Sequence, residues 1–237
     1  MIPAPLVLLD LDGTLTDSYP GIAASARRAF AALGMAVPDD TSLRAFVGPP
    51  LVESFARFGV PPDRVPEAVA AYREYFRATG MWENSVYDGI HGQLEALRAA
   101  GVRLAVATSK PEVFAAPICE RFGLAPYLEG VFGAPLDHVP SSKATVVAAA
   151  LGALRPGDAV LDGVLMVGDR EHDVHGAREN GVDCLGVAWG YAEPGELEDA
   201  GAMGVVPRVD GLAEAVLDAL PEVSGPASPA AGPTTGT

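Results

Sequence analysis

The sequence predicts an α/β fold: a parallel, Rossmann-like sheet core with helices on both faces, and an all-helical cap inserted after the first strand. Three observations predict it. Short runs of Val, Leu and Ala that stop at Gly, Asp or Thr alternate with helical patterns; those patterns run out at glycines; and one long stretch carries helical patterns alone. The expected buried strands are residues 7–9, 103–107, 131–133, 164–167 and 184–188. Between them, residues 93–100, 111–122, 143–151 and 174–180 read as helices ending near Gly101, Gly123, Gly152 and Gly181, where a left-handed residue suits a helix end. From 16 to 85 only helical stretches are read, at 21–33, 41–46, 51–58 and 66–79. The chain therefore divides into a core of residues 1–15 and 86–220, a cap of residues 16–85, and a tail, 221–237. The tail is poor in large apolar residues and is expected to be disordered. Because the cap leaves the chain just after the first strand, it is expected to sit as a lid over that strand's carboxyl end, the edge where ligands bind in such sheets.

With 237 residues, 49% of them hydrophobic, the chain can bury a full core. Thirty-one acids against 16 bases leave a net charge of −15. Such a surface disfavours nucleic acid and anionic membrane as partners, and requires local cations wherever an anion is to be held. Cys119 and Cys184 are far apart in apolar surroundings and are expected to be reduced core thiols. With no signal-peptide pattern and no apolar run long enough to span a bilayer, a cytoplasmic location is expected.

Four stretches concentrate chemistry. "DLDGT" (10–14) leaves the first strand with two aspartates separated by one residue, a costly pairing unless a cation neutralises it. A carboxylate there can attack an electrophile and a second can shuttle protons, while the pair suits a hard divalent ion such as Mg²⁺. "ATSKP" (107–111) ends another strand in Thr108, Ser109 and Lys110, a hydroxyl-and-amide junction suited to an anion. Lys143 opens a helix against its dipole, which points to a nearby carboxylate or phosphate; it and Lys110 are the chain's two lysines. "GDREHD" (168–173) ends a third strand in Asp169, with Asp173 four residues on, on the same helix face. All four lie at one edge of the sheet. Several acids with an ammonium imply a cation, and a cation beside an anion site implies a phosphate.

These four ordered motifs resemble those of the haloacid dehalogenase-like phosphohydrolase superfamily, and the helical insertion occupies the place of its type-1 cap. The resemblance implies an aspartyl-phosphate enzyme using Mg²⁺. It makes Asp10 the nucleophile and a metal ligand, Asp12 the acid/base and a ligand through its backbone carbonyl, and Thr108 and Lys143 the remaining catalytic groups. Asp169 and Asp173 complete the metal set. Gly13, Thr14, Ser109 and Lys110 are expected to join Thr108 around the substrate. Independently of the resemblance, the stiff Gly48-Pro49-Pro50 stretch of the loop "AFVGPPLVESF" (45–55) is expected to close over the leaving group. Within the superfamily the chain looks most like phosphoglycolate phosphatases and related enzymes of small phosphate esters. A phosphomutase of the β-phosphoglucomutase kind is the alternative, but it would place an arginine where Pro49 and Pro50 stand. A non-catalytic binding protein would not need Asp12. The cap arginines Arg44, Arg57, Arg73 and Arg77 are expected on solvated faces, and the aromatics Phe55, Phe58, Tyr72, Tyr75, Phe76, Trp82 and Trp189 within the cap or at its seam with the core.

Overall fold

The computed structural model describes residues 4–136, 142–155 and 161–221. The chain opens with β1 (Leu6–Leu9), fully buried, and the two-residue β2 (Thr16–Asp17). Helices α1 (Tyr19–Ala32), α2 (Asp40–Leu43), α3 (Leu51–Arg57) and α4 (Val65–Ala78) follow, and β3 (Ser85–Val86) brings the chain back antiparallel to β2. Alternation then begins: α5 (Ile90–Ala99), β4 (Arg103–Pro111), α6 (Glu112–Arg121), β5 (Val131–Ala134), α7 (Lys143–Leu154), β6 (Val164–Gly168) and α8 (Glu171–Glu179). It ends with β7 (Asp183–Val187), α9 (Glu196–Ala200), β8 (Gly204–Val206) and α10 (Leu212–Ala219).

Six strands form one sheet in the order β5-β4-β1-β6-β7-β8, every pair parallel. The two-residue period of β1 explains the layers. Leu6 and Leu8 pack with Val146 and Val147 of α7 and Val174 of α8, while Val7 and Leu9 pack on the opposite face with Leu94 and Leu97 of α5 and Val216 of α10. Both faces of the central strand are thus dry, and its polar continuation, Asp10 onward, emerges only at the carboxyl edge.

The five expected strands all form. The stretch 16–85 is not wholly helical, however: β2 and β3 pair Thr16 with Val86 and Asp17 with Ser85, so a two-stranded ribbon carries the chain into and out of the helices. Two-residue strands have no room for an alternating pattern, which is why the sequence does not announce them. Gly152 does not end its helix; α7 runs on to Leu154, and Gly152 lacks the positive φ seen at Gly101, Gly123 and Gly181. Short β8, α9 and the terminal α10 were not anticipated either. The tail expected to be disordered lies, from 222 on, outside the described residues.

The helices of the insertion close on an aromatic cluster in which Phe46 stacks on Phe58 at 5.1 Å and meets Phe55 edge-on at 5.2 Å. Phe76 of α4 meets Phe114 of α6 edge-on at 5.4 Å, joining insertion to sheet. Both cysteines are free and buried, and burial pushes the Cys119 thiol up to about 12. Among the described residues, no helix is long and apolar enough to cross a membrane.

Candidate active site

Because β1 lies between β4 and β6, the residues that leave these three strands are neighbours in space. The Asp10 backbone N–H still donates to the Val167 carbonyl at 2.9 Å, so Asp10 stands level with the end of β6. One ligand oxygen from each of Asp10, Asp169 and Asp173 lies within 4.8 Å of the others, and all three residues are buried. On the other side, β4 loses its regular register with β5 between Thr108 and Pro111, a local break that turns the Thr-Ser-Lys stretch toward the same edge. Thr108 is buried, and its hydroxyl oxygen accepts from the Lys110 N–H at 3.3 Å.

Lys143 enters from the first turn of α7, which Ser142 caps by accepting from the Thr145 N–H. Its Nζ is 2.8 Å from Asp10 Oδ1 and 2.6 Å from Asp173 Oδ1, and donates to the Ala107 carbonyl at 3.0 Å. Burial alone would lower its pKa, but Asp10 and Asp173 outweigh burial and raise it, which favours the ammonium form. Burial and the charges of Asp173 and Asp10 push Asp169 well above the carboxylate range; burial likewise raises Asp173 against the pull of Lys143. One ammonium thus faces three carboxylates. That oxygen-only, charge-deficient set fits a hard divalent cation, which would satisfy what Lys143 leaves uncompensated.

The sign of those shifts makes a prediction. A raised carboxylate pKa means that ionisation costs more in the fold than in the unfolded chain. The metal-free protein should therefore lose stability as pH rises from the ordinary carboxylate pKa through the raised folded values, and be free of the penalty below them. Asp169→Asn removes one charge while its carbonyl can still accept from the Tyr191 N–H, now 2.8 Å from Oδ2. In metal-free buffer at neutral pH it should raise Tm, by about 2–4 °C for each kcal/mol relieved in a chain of this size, and the gain should vanish in acid. A calorimetric pH series checks this; a gain that persists at low pH contradicts it.

Gly13 has φ +87°, and a Cβ there would lie 2.2 Å from Asp169 Oδ2, so only glycine lets this loop wrap the carboxylate. The Thr14 hydroxyl donates to Asp169 Oδ1 at 3.3 Å. Gly13 and Thr14, expected near substrate, are thus in contact with or packed against Asp169. The side chain of Asp12 is not part of the acidic triad, and Lys110 Nζ holds it at 2.8 Å. Ser109 is half-buried beside Thr108. Gly48, at φ +102°, sits on the insertion loop that reaches the edge, close to Arg170.

Arg170 and Tyr191 in this neighbourhood went unremarked in the sequence, and Trp189 reads there only as a packing aromatic. Arg170, next to Asp169, donates from Nη1 to the Val47 carbonyl at 3.0 Å and from Nε to Glu196 Oε1 at 2.7 Å, tying the Gly48 loop to the sheet edge. Tyr191 gives its backbone N–H to Asp169 and its hydroxyl to Asp17 Oδ1 at 2.7 Å, and Trp189 Nε1 donates to the Thr14 carbonyl at 3.0 Å. Both follow β7, so the rule that ligands gather beyond strand carboxyl ends could have flagged them. Of the four arginines of the insertion, Arg44 and Arg77 are exposed as expected, though Arg44 also lies 5.9 Å from the Tyr191 ring centroid and Arg77 6.0 Å from that of Phe114; Arg73 is half-buried and donates to the Leu136 carbonyl at 3.3 Å. Arg57 is exposed as expected.

Known proteins resemble this chain in sequence and in fold. The family model described as haloacid dehalogenase-like hydrolase matches residues 7–187. A protein of Pseudomonas aeruginosa named 5'-nucleotidase is 43% identical over 194 residues, 81% of this chain and 86% of that protein. The tyrosine-protein kinase PtkA of Mycobacterium tuberculosis is 46% identical over 186 residues, 78% of this chain but only 62% of the kinase's length. A plasmid-encoded phosphoglycolate phosphatase of Cupriavidus necator is 35% identical, with 89% of this chain and 92% of that protein covered. Among solved structures, a predicted phosphatase from Clostridium acetobutylicum superposes with a TM-score of 0.84 at 42% identity, covering 91% of this chain and 99% of the other.

Proposed function

This chain belongs to the haloacid dehalogenase-like hydrolase family, and we propose that, as a phosphatase of that family, it hydrolyses a small phosphate monoester through an aspartyl-phosphate on Asp10, with Mg²⁺ as cofactor. One observation carries the reading: Asp10 shares a buried acidic cluster with Asp169 and Asp173, pairs with Lys143, and precedes by two residues a second carboxylate, Asp12, that lies outside the cluster.

An Asp10 oxygen attacks phosphorus in line with the ester oxygen. As the P–O bond to the alcohol breaks, Asp12 supplies the proton that the leaving oxygen needs. Asp12, now a carboxylate, takes a proton from water as that water attacks the phosphorus of the aspartyl-phosphate, which frees Asp10 and inorganic phosphate. Lys143 holds the Asp10 carboxylate in place and faces the charge that gathers on the phosphoryl oxygens; the Thr108 hydroxyl is set to hold one of them. Asp10, Asp169, Asp173 and the backbone carbonyl of Asp12 would hold Mg²⁺, which supplies charge compensation for the phosphoryl group when bound. The insertion, as a cap domain bearing the Gly48 loop, covers the site and chooses the leaving group. The net charge of −15 supports a small metabolite in the cytoplasm as partner, with Lys143 facing its phosphate, over nucleic acid or membrane.

Phosphate release should be measured across phosphoglycolate, sugar phosphates and nucleoside monophosphates, with Mg²⁺ and with EDTA. Release that stops in EDTA and returns with Mg²⁺ is expected, at least about 100-fold apart. Phosphate moved to another acceptor without release would replace hydrolysis by transfer, and release indifferent to EDTA would remove the metal.

A further inference from the structure

The two lysines of the chain divide the two aspartates of "DLDGT" between them. Lys143 takes Asp10; Lys110 takes Asp12, its Nζ 2.8 Å from Oδ2, with the two side chains only 5% and 11% exposed. The other oxygen, Asp12 Oδ1, is buried and has no hydrogen-bond partner among the described residues. Above the same ammonium, at 4.6 Å, lies the ring centroid of Phe76, which comes from helix α4 of the insertion and is itself buried between Tyr72 and Phe114. Core, acid/base and insertion therefore meet at one nitrogen.

We propose that Lys110 is a positioning residue for Asp12: it holds Oδ2, leaves Oδ1 as the oxygen that exchanges the proton, and does so fully only while Phe76 covers it. A carboxylate on a strand-exit loop has two free side-chain torsions, and either oxygen can turn to the leaving group. A buried ion pair removes that choice, because rotating Oδ2 away would strand an ammonium in a dry site. The aromatic face adds attraction and, more importantly, excludes the water that would otherwise solvate Nζ and loosen its hold. Phe76 belongs to the insertion, so seating the insertion completes the proton-transfer geometry.

The inference rests on the phosphatase reading, and the test separates the two. The substrates are a series of substituted phenyl phosphates, nearly equal in size but graded in leaving-group basicity, assayed as kcat/KM with Mg²⁺ for wild type, Lys110→Met, Lys110→Arg and Phe76→Leu. Circular dichroism melts accompany each protein. Where a leaving oxygen is weakly basic it departs without a proton, so Asp12 matters little; where it is strongly basic, Asp12 matters most. Lys110→Met should therefore lose about 10²-fold or more on phenyl phosphate and several-fold less on p-nitrophenyl phosphate, steepening the dependence on leaving-group basicity. Lys110→Arg should recover part of the slope, and Phe76→Leu should steepen it in the same sense but less. Equal losses across the series in Lys110→Met, with weaker competitive inhibition by inorganic phosphate, would put Lys110 on the substrate and overturn the proposal. An unchanged slope in Lys110→Met would overturn it too, and an unchanged slope in Phe76→Leu would overturn the coupling to the insertion. Should wild type release phosphate from no ester of this series or of the metabolite panel, it is the phosphatase reading that fails.

Discussion

Asp10→Asn should release no phosphate from any ester, a loss of about 10⁴-fold or more on the scale of a removed nucleophile, while the protein folds as before. An amide has the shape of the carboxylate but not its charge or its nucleophilic oxygen, so the change acts on chemistry and spares packing. Stability should hold or rise in metal-free buffer, because Asp10 is one of three carboxylates that share a single lysine cation. Phosphate assays beside a thermal melt check both halves. Turnover retained with the fold intact would remove Asp10 as the nucleophile; loss of activity together with loss of fold would leave a structural role in its place.

Lys143→Met should damage both activity and stability. The ammonium is the group that joins Asp10 to Asp173, and its third bond goes to the Ala107 carbonyl in β4. A methionine fills a similar volume but leaves the carboxylates facing one another in a buried site, an uncompensated arrangement that costs about 3–5 kcal/mol when one partner of a buried pair is removed. Activity should fall about 10²- to 10³-fold, the scale for losing one electrostatic group from such a site. Added Mg²⁺ should return part of the lost Tm, since a cation bound among the carboxylates stabilises only the folded chain. A melt unchanged from wild type would mean that Lys143 carries no structural charge load here.

Much of this site could be read before any fold was known. Asp10, Thr108 and Asp169 each follow an apolar strand run, and in a parallel sheet every such run ends at the same edge; the rule is topological and needs no coordinates. Lys143 stood out because an ammonium at a helix start is unfavourable unless an anion answers it. The alternation of strands and helices was equally plain, because buried strands and amphipathic helices differ in period. The ribbon of β2 and β3 escaped because two residues make no period, and Gly152 misled because a glycine inside a helix and one just beyond it look alike in sequence.

What the sequence by itself determined is the chemistry that reaches the edge: two aspartates from one strand, a hydroxyl from another, two more acids from a third, and two lysines. Those facts depend on local pattern, and local pattern is carried by neighbours in the chain. Only the tertiary structure decided how they pair. That Lys143 serves Asp10 and Asp173 while Lys110 serves Asp12, that Phe76 lies over Lys110, and that Arg170 ties Val47 to the sheet edge are contacts between residues far apart in the chain, whose distances depend on strand order, helix rotation and the seating of the insertion. Charge interactions fall off steeply and depend on burial, so a shift of a few ångströms would exchange the partners without changing a residue.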